Sequence, residues 1–135
     1  MRKELFDAVK AKLTADVPEV KHVDLWNHNV EFIEQEVGWE RPAVFVEFGA
    51  ITWSPFVGSP ALRGQGTVNI HLVTDWAEGG QASAFELGGK VFRALAGLQG
   101  EAFDGMALME TLTNHNHEEL LESVDRYAVR YTMEV

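Results

Sequence analysis

The run Asn114-His115-Asn116-His117-Glu118-Glu119 holds the residues of this chain best spaced for chemistry. Two histidines at i and i+2 in extended chain share a face and could bind one metal ion, with Glu119 or His22 completing the site. The run is also polar throughout, which is what a turn between two strands requires. His115 and His117 are therefore candidate ligands on a segment that turn chemistry alone explains. His71 falls on the polar side of an alternating segment, and His22 and His28 flank a turn; each reads as a surface histidine. Close carboxylate pairs such as Glu34/Glu36 and Glu118/Glu119 are unavoidable among 21 acids. Acid–base catalysis would need one such pair held in a cleft, and solvated acidic surface is the simpler reading. The glycine-rich stretches RGQG (63–66) and GGQ (79–81) lack the strand, GxGxxG and helix order of a phosphate cradle, and no HExxH, nucleophile elbow or Walker pattern occurs. No catalytic residue, metal ligand or cofactor is assigned. Of the four tryptophans, Trp26, Trp39, Trp53 and Trp76, the one at 53 sits with Phe56 beside two prolines. Trp53 and Phe56 are thus the candidate partner interface, a core position being the alternative.

Composition narrows the classes of function. The 135 residues carry 21 Asp plus Glu against 11 Lys plus Arg, a net charge of −10. A conventional nucleic-acid clamp needs a clustered cationic surface, which this balance opposes. Residues 1–30 are neutral, whereas 31–60 have five acids against one base and 91–135 have eight against three. Hydrophobic residues at 46% and charged residues at 24% describe an ordinary globular chain. A chain of this length can bury about two-thirds of its unfolded surface, so a single domain over 1–135 is expected to hold a core without staples. The absence of cysteine excludes disulfides, thiolate metal sites and thiol nucleophiles. The first twenty residues lack the apolar stretch of a signal peptide, and no segment approaches a membrane span.

The elements that must position these residues follow from periodicity. Leu5, Val9 and Leu13 recur at i+4, with Phe6 beside them, and predict a helix from about Lys3 to Thr14, stopped by Pro18. Val20–Trp26 reads as a short strand with Val23 and Leu25 on one face, then a turn at Asn27-His28-Asn29; Val30–Val37 fits strand or loop. Arg41-Pro42 forces an extended start to Ala43–Phe48, apolar on both faces and hence a central strand, with strand character continuing to Trp53. Ser54–Pro60 is a loop. Val68, Ile70 and Leu72 alternate with Thr67, Asn69 and His71, predicting a half-buried strand with its polar side in water. After a connection at Ala77–Gln81, Ser83 and Glu86 form a capping box. The helix it starts has an apolar face through Ala84, Phe85, Gly88, Gly89, Val91, Phe92 and Leu95, and an i,i+4 pair Glu86–Lys90 on the other. Close approach to a sheet would account for the two glycines. A hairpin ends the chain: Met106, Leu108 and Leu112 lead into the Asn114–His117 turn, and Tyr127, Val129, Tyr131 and Met133 return on one face. Leu120 and Val124 have opposite parity, which predicts a bulge near Asp125. The order gives an α+β fold: a mostly antiparallel sheet with two helices packed on it, closing with a C-terminal hairpin.

The strings VNIHLVTDWAEGGQASAFELGGKVFRALAGL and DRYAVRYTMEV resemble the tail-terminator, or tail-completion, proteins of long-tailed bacteriophages and prophages. Val68, Ile70, Leu72 and Trp76 match that family's strand and following aromatic. Ala84, Leu87, Val91 and Leu95 match its helix core, and Arg41-Pro42-Ala43-Val44 its proline-led strand, although another residue more often follows the proline. The likeness spans most of the chain as hydrophobic pattern, without a catalytic motif, so no site residue is carried over. It implies a non-enzymatic structural protein of the virion tail, assembled in the bacterial host cytoplasm as a homo-oligomeric ring, usually a hexamer. Such a ring ends the tail tube and meets the head–tail connector, with DNA as passing cargo. A head–tail connector or minor tail protein is the nearest alternative. A small-ligand or metal-binding domain using His115 and His117 is the alternative of another class.

Overall fold

The computed structural model describes residues 1–27, 39–76, 81–114 and 119–134. The expectations for His28, Val30–Val37, Glu34/Glu36, His115, His117 and Glu118 fall outside the described residues. The elements run α1 (Arg2–Asp16), β1 (His22–Leu25), β2 (Ala43–Pro55), β3 (Leu62–Asp75), α2 (Gln81–Leu95), β4 (Phe103–Asn114) and β5 (Leu120–Met133). The strands lie in the order β1-β2-β3-β5-β4. β1 is parallel to β2, and the other three pairings are antiparallel. The α+β class and the closing hairpin, β4 with β5, agree with the sequence reading.

Both helices cover one face of the sheet. Leu5, Val9 and Leu13 of α1 and Leu87, Val91 and Leu95 of α2 pack on Val44, Val46, Val68, Ile70, Tyr127 and Val129. Full burial of each aliphatic side chain contributes about 1.5–3 kcal/mol, so this layer holds the fold. The stripe of α2 turns further than expected: Leu87 and Ala94 are buried, while Phe85 is 53% exposed. Helix α2 already starts at Gln81, which places Ser83 inside its first turn and not at a cap. Lys90 reaches across to Glu19, 2.6 Å away, tying α2 to the segment after α1 in place of the expected pair with Glu86. Nor does a crowded sheet explain the glycines. A Cβ at Gly88 would meet only Leu72 at an ordinary 3.9 Å, and one at Gly89 would meet the Arg93 guanidinium.

β1 is an edge strand, and Leu25 is half exposed, not buried beside Val23. β2 continues past the expected loop boundary to Pro55, with a register shift between Phe48 and Ile51. β5 runs in unbroken register against β3 from Leu120 to Met133, so it has no bulge at Asp125. Its change of parity has another cause: Tyr127, Val129 and Tyr131 face the helices, whereas Leu120 joins a second small core on the opposite face with Trp39, Ala43, Phe45 and Val73. The irregularities lie in β4, between Asp104 and Ala107 and between Leu108 and Glu110. Gly105, in the first of these, has φ +68, a conformation that side chains disfavour.

Candidate functional site

Among the described residues, three places could do something beyond holding the fold. The first is the end of the sheet face away from the helices. Register places Phe45 opposite His71, His71 opposite Val124, and Glu122 between Val73 and Asn114, so these side chains converge across β2, β3, β5 and β4. His71 is only 6% exposed and Glu122 5%, which overturns the expectation of a surface histidine on a solvated strand face. His71 Nδ1 lies 3.1 Å from Glu122 Oε2, and its Nε2 lies 3.0 Å from Glu47 Oε1. The amide of Asn69 donates to Glu47 (2.9 Å) and that of Asn114 to Glu122 (2.8 Å). Trp26 stacks on the imidazole at 3.9 Å with the planes 4° apart.

This geometry fixes a proton inventory. An ionised carboxylate only accepts hydrogen bonds. Each contact between the ring and a carboxylate therefore needs one proton, on the nitrogen or on the oxygen. With both nitrogens engaged by carboxylates, His71 has no lone pair to offer a substrate as general base. The cluster ties β2, β3 and β5 to the residue that follows β1. Beside it, Phe45 takes edge contacts from Trp39 (4.9 Å) and Trp26 (6.2 Å), and His22 stacks on Trp39. Arg41, which forms a cis bond to Pro42, pairs with Asp75 and lies 5.5 Å from the Trp39 ring. Among the described residues, no group of three or more His, Asp or Glu side chains is arranged to hold a metal ion.

The second place is the β2–β3 hairpin that carries the predicted interface residues. Trp53 is partly buried, packing on the helix-side core, with its ring 6.5 Å from Tyr131. Phe56 lies under the Arg63 guanidinium at 4.3 Å. Between the strands, Ser59 N–H donates to the Phe56 carbonyl and Ala61 N–H to Ser59 Oγ. Gly58 at φ +77 is the third residue of this turn, the position where a type II turn demands positive φ. The tip holds Val57 wholly in solvent. Sequence reasoning named its flanks and passed over Val57, although a valine before glycine in a proline-bounded turn was the available signal.

The third place is a groove of about 310 Å³ between α2 and β4, lined by Phe85, Gly88, Phe92, Leu108, Thr111 and Asp125 among others. Gly88 helps to keep it open, because no side chain stands there and an added Cβ would meet only Leu72 at 3.9 Å. At this size it stands at the lower end of small-molecule sites and has room for one or two side chains of a partner. Burial pushes the Asp125 carboxyl above the usual carboxylate range, and the Thr111 hydroxyl, donating at 2.7 Å, pulls it partly back. Burial also pushes the Tyr127 phenol up, with the charge of Asp125 adding to the effect. Leu108 is exposed at the groove, and Met109 and Leu112 are exposed elsewhere on β4, so this edge strand carries three exposed apolar side chains.

No protein-family model and no curated protein matches the chain by sequence. Among solved structures, a chain described as "Virion of native gene transfer agent (GTA) particle" superposes with a TM-score of 0.65 at 15% identity, covering 96% of this chain and 95% of that one. The two share a fold over essentially their whole lengths.

Proposed function

We propose that this protein is a non-enzymatic structural component of a phage or prophage tail, assembling into a homo-oligomeric ring that terminates the tail tube and joins it to the head–tail connector. The observation that carries this reading is the end-to-end fold likeness to a chain of a virion particle. The family resemblance in β3, α2 and the closing hairpin gives it its finer form. Three physical features support it. The buried histidine cluster is saturated by its own carboxylates and offers no reactive group. Four of the large apolar side chains that remain exposed lie at a hairpin tip (Val57) and along the β4 edge (Leu108, Met109 and Leu112), where neighbours could cover them. The net charge of −10 suits a wall that lets DNA pass without gripping it. Among the described residues no helix is long and apolar enough to cross a membrane. The virion tail, assembled in the host cytoplasm, is the corresponding location.

Native mass spectrometry and negative-stain microscopy of the purified chain, alone and with a phage tail-tube protein, test the proposal. A closed ring, most simply a hexamer, that caps tube ends is the expected result. A monomer at high concentration that ignores tube protein sinks it, and a ring that binds only portal-side proteins replaces it with a connector.

A further inference from the structure

The hairpin tip carries an exposed valine near an arginine, the groove an apolar wall near an acid, and the two sit at opposite sides of one sheet. The arm 51–55 of β2 lies beyond the reach of β1, which pairs only with residues 43–46. The groove flanks β4, the opposite edge in the order β1-β2-β3-β5-β4. Three strand steps of about 4.8 Å separate β2 from β4, about 14 Å across the sheet. A tip cannot reach the groove of its own chain. We propose that the Phe56–Ser59 tip of one copy docks in the α2–β4 groove of the next, with Val57 seated over Gly88 and Arg63 facing Asp125.

Each half of this contact has a feature that its own chain leaves unused. The tip is an ordered, hydrogen-bonded turn that spends a valine on solvent. The groove has an apolar wall (Phe85, Phe92, Leu108), an open position at Gly88, and a half-buried acid. Arg63 is exposed on the strand that leaves the tip, 4.3 Å from the Phe56 ring, so it would travel with the knob. A carboxylate partly removed from water gains most from a cation arriving with the partner. Tip and groove are different surfaces, so the contact is heterologous: each copy gives its tip to one neighbour and its groove to the other, which closes into a ring or runs on as a filament. The inference rests on the ring reading above and names the surface that makes the ring.

The natural chain has no cysteine, so in a chain carrying Val57→Cys and Gly88→Cys every disulfide joins these positions, and the two single-cysteine chains, which should stay uncross-linked, separate the designed 57–88 bridge from 57–57 and 88–88 bridges. Under mild oxidation the double-cysteine chain should give a ladder of covalent multimers ending at the native ring size, since a disulfide requires Cα atoms within about 7 Å. Val57→Asp and, separately, Gly88→Leu should each raise the concentration for half-dissociation of the multimer about tenfold or more, the effect of losing one anchor side chain. Gly88→Leu is the stricter variant. The position has room for a side chain and is helical, so the folded subunit should melt no lower than wild type while its groove is filled. If the wild-type ring forms but the cysteines do not cross-link and both variants assemble normally, tip and groove are not the contact, and the ring reading survives. If the wild-type chain is monomeric with or without tube protein, both ideas fail together. A wild-type monomer whose groove captures only a different protein also overturns the self-docking proposal.

Discussion

The two faces of the sheet are closed in different ways. On the helix face, a broad layer of aliphatic side chains from α1 and α2 covers most of four strands, and among the described residues no charged group lies in that core. On the opposite face, among the described residues, one end is covered, by Trp26, Trp39 and Phe45 around the Glu47–His71–Glu122 chain of contacts. The first closure is non-directional, so its strength scales with area. The second depends on each polar partner being in place, because a buried charge that loses its counterpart costs more than the pair contributes. One face sets how stable the domain is; the other sets how the β1 end is aligned.

Substitutions can test this contrast. The largest loss is expected at Leu95, wholly buried on the helix face. Leu95→Ala should lower unfolding stability by about 3 kcal/mol in denaturant titration, through lost transfer energy and the cavity left behind. A loss below about 1 kcal/mol would mean that the helix layer is looser than its burial indicates. On the other face, His71→Ala leaves two carboxylates that share no proton and removes the surface on which Trp26 stacks. A loss of about 2 kcal/mol is expected, accompanied by a change in tryptophan fluorescence that Leu95→Ala should not produce. An unchanged Trp26 signal would show that the cluster does not align the β1 end. The smallest effect belongs to the Asp125 carboxyl in the groove. Its folded-state pKa is raised by burial, so the folded state binds its proton more tightly than the unfolded chain does. That contribution favours folding below the ordinary carboxylate value of 3.8 and is lost as the pH rises through the higher folded value. Asp125→Asn, which can still accept from Thr111, should therefore be slightly more stable than wild type at about pH 7, with the gap closing below about pH 4. A gap that widens in acid would reverse the assignment.

The same contrast explains what could be read from the residues alone. Leu5, Val9 and Leu13 announce their buried face because a helix repeats it every turn, and Val68, Ile70 and Leu72 do so because a strand repeats it every second residue. The layer and its class followed directly. His71 gave no such signal. Its partners are Trp26, Glu47 and Glu122, which lie far away in sequence and meet it only through the register of β2, β3 and β5. Alternation on β3 correctly separated the two faces, but could not tell that the polar one is covered near Asp75. The parity change at Leu120 was visible and wrongly assigned to a bulge, because a chain that passes from covering one face to covering the other looks the same in one dimension. The offset start of α2 follows from the ambiguity of helix ends, where several polar residues in a row can serve as caps. Of the predicted interface pair, Trp53 lies against the core and Phe56 under Arg63, and the exposed residue between them is the one that type and spacing did not single out.

The two interruptions in β4 limit how this protein can go wrong. An uninterrupted outer strand would present a long row of unpaired backbone groups to any other chain in the same state, and such rows seed fibres. Breaking the row after Asp104 and again after Leu108 shortens the longest regular stretch of this edge to Glu110–Asn114. Contact between copies along this edge then has to come mainly from side chains, whose fit can be specific where a backbone row cannot.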